Sequence, residues 1–398
     1  MHDSVEHTLL LIGAMMLLGL LGETLGKRTQ LPRVTILIGL GLAVGPLGLA
    51  WLPSGQLPWF DFVATVALTM IGFLLGGKFT GRTFRLYGKQ SLWLAFGITV
   101  GTFAVVCGGM VAVGIELPIA LVLAGVSLAT DPVATLESVE DGGFDSPLSN
   151  LLSGIVAMDD MWGLVLFGLV MTAVGVAVEG SYQAHYIWIG LWEMFGGIGL
   201  GIALGLPMAA LSGRINKGKP MLLEALAAVF CCAGLSLMLE VSYLLAAITM
   251  GVTVAQLARH HHRPFHEVAH IEWPFLVLFL VLVGASFAPA DLAQYWPLAV
   301  AYILLRVMGR VLACWVFGRS MAVGDRGLLG MSLLPQAGVA LGTALYAKQH
   351  FPELSEAIIT VTVAATIFFE IVGPISTRWA LKRYAQRHMS QDKKIVTE

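Results

Sequence analysis

Long apolar segments alternate with short polar connections along almost the whole chain. A helix needs about 20 apolar residues to cross the hydrocarbon core of a bilayer. Thirteen segments meet that requirement, so the pattern predicts an all-α polytopic membrane protein with about 13 transmembrane helices. Their approximate bounds are 8–26, 33–50, 59–78, 91–114, 117–137, 148–177, 187–211, 221–239, 241–258, 273–288, 296–317, 326–347 and 355–381.

Two of these segments contain residues that interrupt helices. The fifth contains Thr130-Asp131-Pro132, and the twelfth contains Leu334-Pro335-Gln336-Ala337-Gly338. Segments 1–6 and 8–13 form two halves that the seventh segment connects, and each interrupted segment is the fifth of its half. Interrupted helices at matching positions of two halves indicate an inverted repeat with a binding site near the midplane of the membrane. We therefore predict two inverted six-helix repeats with broken helices; the alternative is two unrelated proline kinks.

The polar connections sort into two sets by charge. One set is rich in lysine and arginine, except for the acidic stretch from Glu137 to Asp145, and the other set is nearly free of them apart from Lys348. Because basic loops stay in the cytoplasm, we expect a multi-pass cell-membrane protein with its N-terminus outside and its C-terminus in the cytoplasm. The basic residues are Lys27, Arg28, Arg33, Lys78, Arg82, Arg85, Lys89, Arg214, Lys217, Lys219, Arg259, Arg263, Arg319, Arg326, Lys382, Arg383 and Arg387.

The composition agrees with a membrane protein. The chain is 57% hydrophobic and 12% charged, whereas soluble domains carry about 25% charged residues. The net charge of −2 argues against a nucleic-acid partner. All four cysteines lie in apolar segments without metal-ligand spacing, so we interpret them as packing residues and predict no structural metal.

Five charged side chains of the apolar segments form one candidate cluster. Asp159 and Asp160 lie in the sixth, Asp131 in the fifth, and Arg306 and Arg310 in the eleventh. A rise of about 1.5 Å per residue places Asp160 roughly 18 Å and Arg306 roughly 15 Å from opposite faces, so both lie near the midplane. Charges at that depth are costly and mark functional sites.

We predict that Arg306 neutralises Asp159, with Arg310, one turn further on the same face, as the other candidate. Asp160 then has no fixed counter-ion. Burial favours the protonated form of a carboxylate and a nearby cation favours the ionised form, so Asp160 can exchange a proton for a metal ion. Thr130, Asp131 and backbone carbonyls freed by the breaks are candidate hard-oxygen ligands; alternatively, the Thr130 hydroxyl bonds back to its own helix. Pro132, Pro335 and Gln336 at the breaks are secondary candidates.

The motifs resemble those of the monovalent cation/proton antiporter superfamily, the sodium/proton and potassium/proton exchangers. Each motif is weak alone, but their order and spacing match along nearly the whole chain. Three motifs carry charge: Thr130-Asp131-Pro132 in the broken helix, Met158-Asp159-Asp160 for the paired carboxylates, and Arg306-Val307-Met308-Gly309 for the basic position. The second segment matches through Pro32, Leu37-Ile38-Gly39 and Gly45-Pro46. The tenth segment matches through Trp273-Pro274-Phe275 and Val283-Gly284-Ala285-Ser286.

The resemblance implies antiport by alternating access, without a cofactor, of a monovalent cation for protons. Sodium is the favoured cation and potassium the alternative. Asp160 would be the exchanging carboxylate, Asp159 the partner of Arg306, and Asp131 would shape the site. A double aspartate implies electrogenic exchange. The resemblance also implies a division of the chain. The scaffold and homodimer helices would be residues 1–90 and 216–290, with a linker helix at 181–215. The moving core, where the broken helices cross, would be residues 91–180 and 291–381, followed by a cytoplasmic tail at 382–398.

The chain departs from the family pattern at three positions. Many relatives carry a glutamate after an Ile-Gly pair in the third helix, but Ile71-Gly72-Phe73-Leu74 contains no acid. Val156 replaces a hydroxyl that some relatives place one turn before the exchanging aspartate. Arginine stands at position 306 in place of the familiar lysine, and an arginine does not release its proton. The choice between sodium and potassium therefore stays open.

A histidine cluster lies in a predicted cytoplasmic loop. His262, His266 and His270 are spaced four residues apart and would share a helical face if Pro264 permits a helix. Histidine titrates near neutral pH, which makes the three residues candidates for a pH sensor. Metal binding and an ordinary interfacial loop are the alternatives.

Two other functions are compatible with buried charges. One is a channel or efflux pore on the same scaffold, opened by a partner. The other is an intramembrane enzyme with two catalytic aspartates, but neighbouring residues of one helix point about 100° apart and share a proton poorly. We therefore expect a transporter rather than an enzyme.

Overall fold

The structure is a computed structural model. It describes residues 5–29, 33–46, 48–49, 51, 59–77, 81–141, 146–179, 184–212, 222–258, 262–285, 289–320, 325–336 and 338–395. Some helical positions within these ranges are described for their backbone alone, and Pro132, Asp160 and His262 are among them.

All regular structure in the described residues is helical. In chain order the helices are α1 (Val5–Thr29), α2 (Arg33–Val44), α3 (Phe60–Gly77), α4 (Gly81–Ala112), α5 (Leu117–Val126), α6 (Pro132–Asp141), α7 (Pro147–Glu179), α8 (Ala184–Ser212), α9 (Leu222–Met238), α10 (Tyr243–Leu257), α11 (His262–Ala285), α12 (Pro289–Phe317), α13 (Arg326–Ser332), α14 (Gly338–His350) and α15 (Ser355–Ile395). Short 3₁₀ turns follow α12 at Gly318–Ser320 and precede α15 at Pro352–Leu354.

Each predicted apolar segment contains a helix. The two interrupted segments each form two helices, α5 with α6 and α13 with α14, as their proline and glycine residues predict. By length and composition, six helical stretches of the described residues can cross a membrane, and seven shorter helical stretches are also apolar. The all-helical prediction is confirmed, whereas the number of membrane crossings stays a prediction.

Three predicted boundaries are wrong. Helix α4 begins at Gly81, ten residues before its predicted start at Ser91. Helix α11 begins at His262, so the histidines from His262 onward lie in a helix rather than a loop. Helix α15 continues to Ile395, so most of the predicted tail is helical. In all three cases polar residues extend a helix beyond its apolar part, and a hydrophobicity pattern does not detect such extensions.

Contacts between Cα atoms divide the chain into two compact units. Unit 1 comprises residues 1–81 and 182–293, and unit 2 comprises residues 82–181 and 294–398. Unit 1 contains α1–α3 and α8–α11, and unit 2 contains α4–α7 and α12–α15. The scaffold and core roles predicted for parts of the chain are functional assignments and stay predictions.

Close helix crossings at glycine organise unit 1. Helix α2 packs on α11 and α3 packs on α10. A Cβ atom built on Gly41 would lie 2.9 Å from the Cα of Gly284, and one built on Gly76 would lie 2.9 Å from the Cα of Gly251. Real Cβ atoms do not approach so closely, so both crossings depend on the absence of side chains.

A buried apolar cluster joins α3, α8, α9, α10 and the start of α11. The rings of Phe73 and Phe265 stack with centroids 4.6 Å apart, which fixes the first turns of α11 against α3. The cluster includes Val66, Met70, Phe73, Met208, Val229, Cys232, Met250, Val254 and Val268.

Unit 2 is built around α15 and the interrupted helices. Helix α15 contacts α5, α6, α7, α13 and α14, and α5 also packs on α7. Two apolar clusters fill this unit, one around Leu152, Ile155 and Leu333, and the other around Leu123, Tyr302 and Phe369. Interrupted backbone therefore lies in the interior of unit 2.

Large apolar side chains cover the outside of many described helices. Trp93 of α4, Trp188 of α8 and Trp296 of α12 are all more than half exposed, as are Leu9 and Leu10 of α1. An apolar surface of this extent is costly in water and suits a lipid environment. The structure thus agrees with a multi-pass membrane protein.

The glycine crossings generate a stability prediction. We expect Gly251→Ala to destabilise the protein by about 1–3 kcal/mol, because its methyl group would overlap the backbone of α3. Gly234→Ala of α9 is the matched control, because no described atom lies within 4 Å of its added Cβ. Thermal unfolding in detergent compares the two variants. Equal melting temperatures would show that the backbones of α3 and α10 leave room for a methyl group at Gly251.

Candidate functional site

The two helix interruptions of unit 2 meet each other. Helix α5 ends at Val126 and α6 begins at Pro132, while α13 ends at Ser332 and α14 begins at Gly338. The backbone N–H of Asp131 in the first break donates a hydrogen bond to the carbonyl of Pro335 in the second, at 2.9 Å. Pro335 itself is buried and packs against Gly373 of α15.

Arg306 of α12 binds the carbonyls of both breaks. Its Nε donates to the carbonyl of Ser127 at 3.1 Å, and its two terminal nitrogens donate to Ala129 at 2.8 Å and Leu334 at 2.7 Å. The guanidinium is fully buried and lies 4.3 Å from the centroid of the Phe369 ring. These carbonyls follow helices that stop short, so they have no intrahelical partners, and Arg306 supplies the missing donors.

Arg310 forms the ion pair with Asp159. Its Nη1 lies 2.6 Å from Asp159 Oδ2, and both side chains are fully buried. The other terminal nitrogen donates to the carbonyl of Leu128 at 2.6 Å and to the Thr130 hydroxyl at 2.9 Å. Arg310 therefore connects the acidic helix α7 with the first break.

The predicted pair of Asp159 with Arg306 is therefore corrected. The two arginines share a face of α12, and the secondary candidate, Arg310, reaches the carboxylate. Arg306 lies one turn away, where the carbonyls of the two breaks converge and occupy its donors. A planar guanidinium with five donors suits this role, because it can bind several carbonyl oxygens at once.

Asp159 is held by three donors from three parts of unit 2. Besides Arg310, the Thr99 hydroxyl of α4 donates to Oδ1 at 2.9 Å, and the Thr130 hydroxyl of the first break donates to Oδ2 at 2.5 Å. Hydrogen bonds to a carboxylate and a neighbouring cation both stabilise its ionised form. Both carboxylate oxygens of Asp159 are therefore occupied.

The Thr130 contacts differ from both interpretations of this residue. The hydroxyl donates to Asp159 and accepts from Arg310, so the alternative of a bond to its own helix is wrong. Its proton and one lone pair are already used. Thr130 thus supports the ion pair between Asp159 and Arg310. Its role as a cation ligand stays a prediction.

Asp131 begins the second half of its broken helix. Its side chain accepts a hydrogen bond from the backbone N–H of Ala134 at 3.3 Å, and Pro132 is the first residue of α6. An aspartate followed by proline is a common start of a helix. Asp131 is half-buried, and the side chain of Pro132 lies outside the described residues.

Asp160 follows Asp159 in the middle of α7, as predicted. Its side chain lies outside the described residues, so its role as the exchanging carboxylate stays a prediction. Its backbone position places it next to the fixed ion pair of Asp159 and Arg310.

Gln336 contributes a polar side chain to the second break. It is fully buried, and its Nε2 lies 3.4 Å from the Tyr302 hydroxyl. Its Oε1 has no hydrogen-bond partner among the described residues. Tyr302, Arg306 and Arg310 lie one turn apart on α12, so one row of side chains follows the breaks.

Both arginines of α12 have compensating partners. Arg310 pairs with Asp159, and Arg306 faces the carboxyl-terminal ends of α5 and α13. A helix carries about half a negative charge at that end, so two ends together oppose about one positive charge.

Two residues of the site carry no sequence signal. Thr99 contacts Asp159 and Tyr302 contacts Gln336. Both are polar groups in apolar helices, and many such groups bond to their own helix.

The histidine cluster belongs to unit 1. The Nε2 atoms of His266 and His270 lie 3.3 Å apart on the exposed surface of α11, and the side chain of His262 lies outside the described residues. A role of these residues in pH sensing stays a prediction.

Comparison with known proteins gives a consistent result. Residues 13–383 match the family described as "Sodium/hydrogen exchanger, transmembrane". The ammonium/H⁺ antiporter subunit AmhT of Alkalihalophilus pseudofirmus is 22% identical over 376 residues, which are 93% of this chain and 95% of that protein. The K⁺/H⁺ antiporter subunit KhtU of Bacillus subtilis is 20% identical over 396 residues, which are 96% and 95% of the two chains.

A solved structure has the same fold. The sodium proton antiporter MjNhaP1 from Methanocaldococcus jannaschii superimposes with a TM-score of 0.75 and 15% sequence identity, covering 94% of this chain and 97% of its own.

The ion pair predicts a specific coupling of stabilities. Arg310→Met should cost about 3–5 kcal/mol, because it leaves the buried Asp159 carboxylate without its cation. Asp159→Asn in the same protein should recover part of that loss, with a coupling free energy of about 0.5–3 kcal/mol. Melting curves of the two single variants and the double variant measure this coupling.

Arg306→Met is the matched control for this experiment. It removes a guanidinium of equal burial from the same helix face, but Asp159→Asn should not rescue it, since Arg306 binds carbonyls. Rescue of Arg306→Met and not of Arg310→Met would reverse the assignment of the two arginines.

Proposed function

The chain belongs to the sodium/hydrogen exchanger family, and on that basis we propose that it exchanges a monovalent cation for a proton at Asp160. The observation that carries the proposal is the complete satisfaction of Asp159 by Arg310, Thr99 and Thr130. The next residue of the same buried helix region is a second aspartate, and the fixed cations are already engaged. Asp160 is neutralised in each state by what it transports, either a proton or a metal ion.

Exchange at a single carboxylate carries no net charge. Electrogenic exchange requires Asp159 to take up a second proton when its arginine withdraws. That withdrawal would break the hydrogen bonds that Arg310 donates to Asp159, to the Leu128 carbonyl and to the Thr130 hydroxyl. One proton therefore moves per monovalent cation, and exchange is electroneutral. This proposal replaces the expectation of electrogenic exchange that the double aspartate raised.

The cation is bound by few preformed protein ligands. The carbonyls of Ser127, Leu128, Ala129 and Leu334 accept from the two arginines, which leaves them poorly suited to bind a cation as well. The candidate hard-oxygen ligands are the Gln336 Oε1 atom, the Asp131 carboxylate, which also accepts a hydrogen bond from Ala134, and water. Sodium is the favoured cation and potassium the alternative, while the names of relatives include ammonium, potassium and sodium.

The helix contacts support an inverted repeat. In a repeat of six helices, α2 corresponds to α10 and α3 corresponds to α11. The repeat therefore relates the α2–α11 pair to the α10–α3 pair. Both pairs are in contact, and each crossing has a glycine on both helices. The repeat also relates the broken helix α5–α6 to the broken helix α13–α14. In this proposal unit 2 moves as the transport core, and unit 1 is the scaffold and the homodimer interface.

Asp160→Asn tests the exchanging carboxylate. We expect cation-driven proton movement in proteoliposomes to fall to the level of protein-free liposomes, because an amide neither releases a proton nor neutralises a cation. A pH-sensitive dye inside the liposomes measures this. Asp61→Asn, the same change on the exposed first turn of α3, should retain wild-type exchange. Wild-type rates for Asp160→Asn would overturn the proposal.

Electrical recording tests the stoichiometry. Wild-type protein that shows strong dye-detected exchange should give no transient current on a solid-supported membrane after a jump in cation concentration. Its exchange rate should also be unaffected by a potassium–valinomycin potential when sodium is the transported ion. A current that grows with exchange rate would overturn the electroneutral stoichiometry. Cation flux without proton counterflow would indicate a channel instead.

A further inference from the structure

A chelating pair of histidines lies at the start of α11, outside the site in unit 2. The segment His266-Glu267-Val268-Ala269-His270 has two histidines four residues apart on a helix. This His-Glu-x-x-His spacing places both imidazoles on one helix face and is a known arrangement for holding zinc. Both side chains are exposed, so a metal ion from solution can reach them.

The distance between the two rings fits a metal ion. Zinc binds imidazole nitrogen at about 2.0–2.1 Å in a tetrahedral arrangement, which requires two nitrogen ligands about 3.3–3.4 Å apart. The Nε2 atoms of His266 and His270 are 3.3 Å apart, and the ring planes are inclined by 80°. In the structure these two Nε2 atoms form a hydrogen bond to one another, so they already have the separation that a shared ion requires, and an ion would take the place of the shared proton.

The helix that carries the pair is anchored. Phe265, next to His266, stacks on Phe73 of α3, and Val268 is fully buried in the same cluster. The two imidazoles therefore extend from a backbone that is fixed on its other face. A preorganised pair binds more tightly than one that must first be ordered.

We propose that His266 and His270 form a binding site for a divalent first-row transition metal ion such as Zn²⁺. Imidazole nitrogen suits zinc, copper and nickel rather than the hard transported cations. Among the described residues no third histidine, cysteine, aspartate or glutamate joins the pair, so water completes the coordination. His262 lies about 12 Å from His270 along the helix and does not share one ion with both.

Binding of the ion joins two successive turns of α11. An ion that binds only the helical form stabilises that form by mass action. The site would therefore strengthen the first turns of α11 and so the contact of its N-terminal part with α3. This effect does not depend on the exchange reaction in unit 2.

Metal titration of untagged protein in detergent tests the site. Isothermal titration calorimetry with Zn²⁺ should show one saturable site in the wild type. His266→Gln and His270→Gln should each weaken that site at least about tenfold. The controls His262→Gln and His350→Gln should bind like the wild type; His350 lies on α14, with its Nδ1 2.9 Å from the Tyr346 carbonyl.

Electron paramagnetic resonance of bound Cu²⁺ provides a second measurement. The wild type should show two coordinating nitrogens, and either pair variant should show fewer, even if its stability changes. Absence of saturable binding in the wild type would overturn the proposal. Retained binding in His270→Gln, or loss only in His262→Gln, would overturn it as well.

Discussion

Interrupting two helices inside an apolar unit leaves backbone carbonyls without partners, and the two arginines of α12 meet that requirement. Four carbonyls of the breaks accept hydrogen bonds from Arg306 and Arg310, and a backbone bond from Asp131 to Pro335 joins the breaks directly. In lipid an unsatisfied backbone group costs several kcal/mol. These donors therefore stabilise the broken helices and the site beside them.

The two arginines divide two electrostatic tasks. Arg306 opposes the negative ends of α5 and α13, and Arg310 opposes Asp159. A single cation could not do both, because each partner is bound by several directional hydrogen bonds. In the proposed function Asp160, the next residue of α7, is the carboxylate that the transported ion neutralises.

The two units are stabilised in different ways. In unit 1, glycines allow the backbones of α2 and α11, and of α3 and α10, to approach closely, and aromatic stacking fixes the start of α11. In unit 2, buried hydrogen bonds to charged groups hold interrupted backbone in place. Unit 1 therefore depends on close backbone packing, whereas unit 2 keeps polar groups in its interior at the cost of burying charge.

The helices, the two interruptions, the family and the paired aspartates of α7 could all be predicted from the sequence. Those signals are local, because apolar length, proline, glycine and unpaired charge are visible within a single segment. The packing of unit 2 decided which arginine binds Asp159, since Arg306 and Arg310 share one face of α12 and spacing does not separate them. It likewise decided that the Thr130 hydroxyl supports Asp159 and that Thr99 joins it from α4. These contacts depend on how four separate chain segments pack, and no single segment encodes that arrangement.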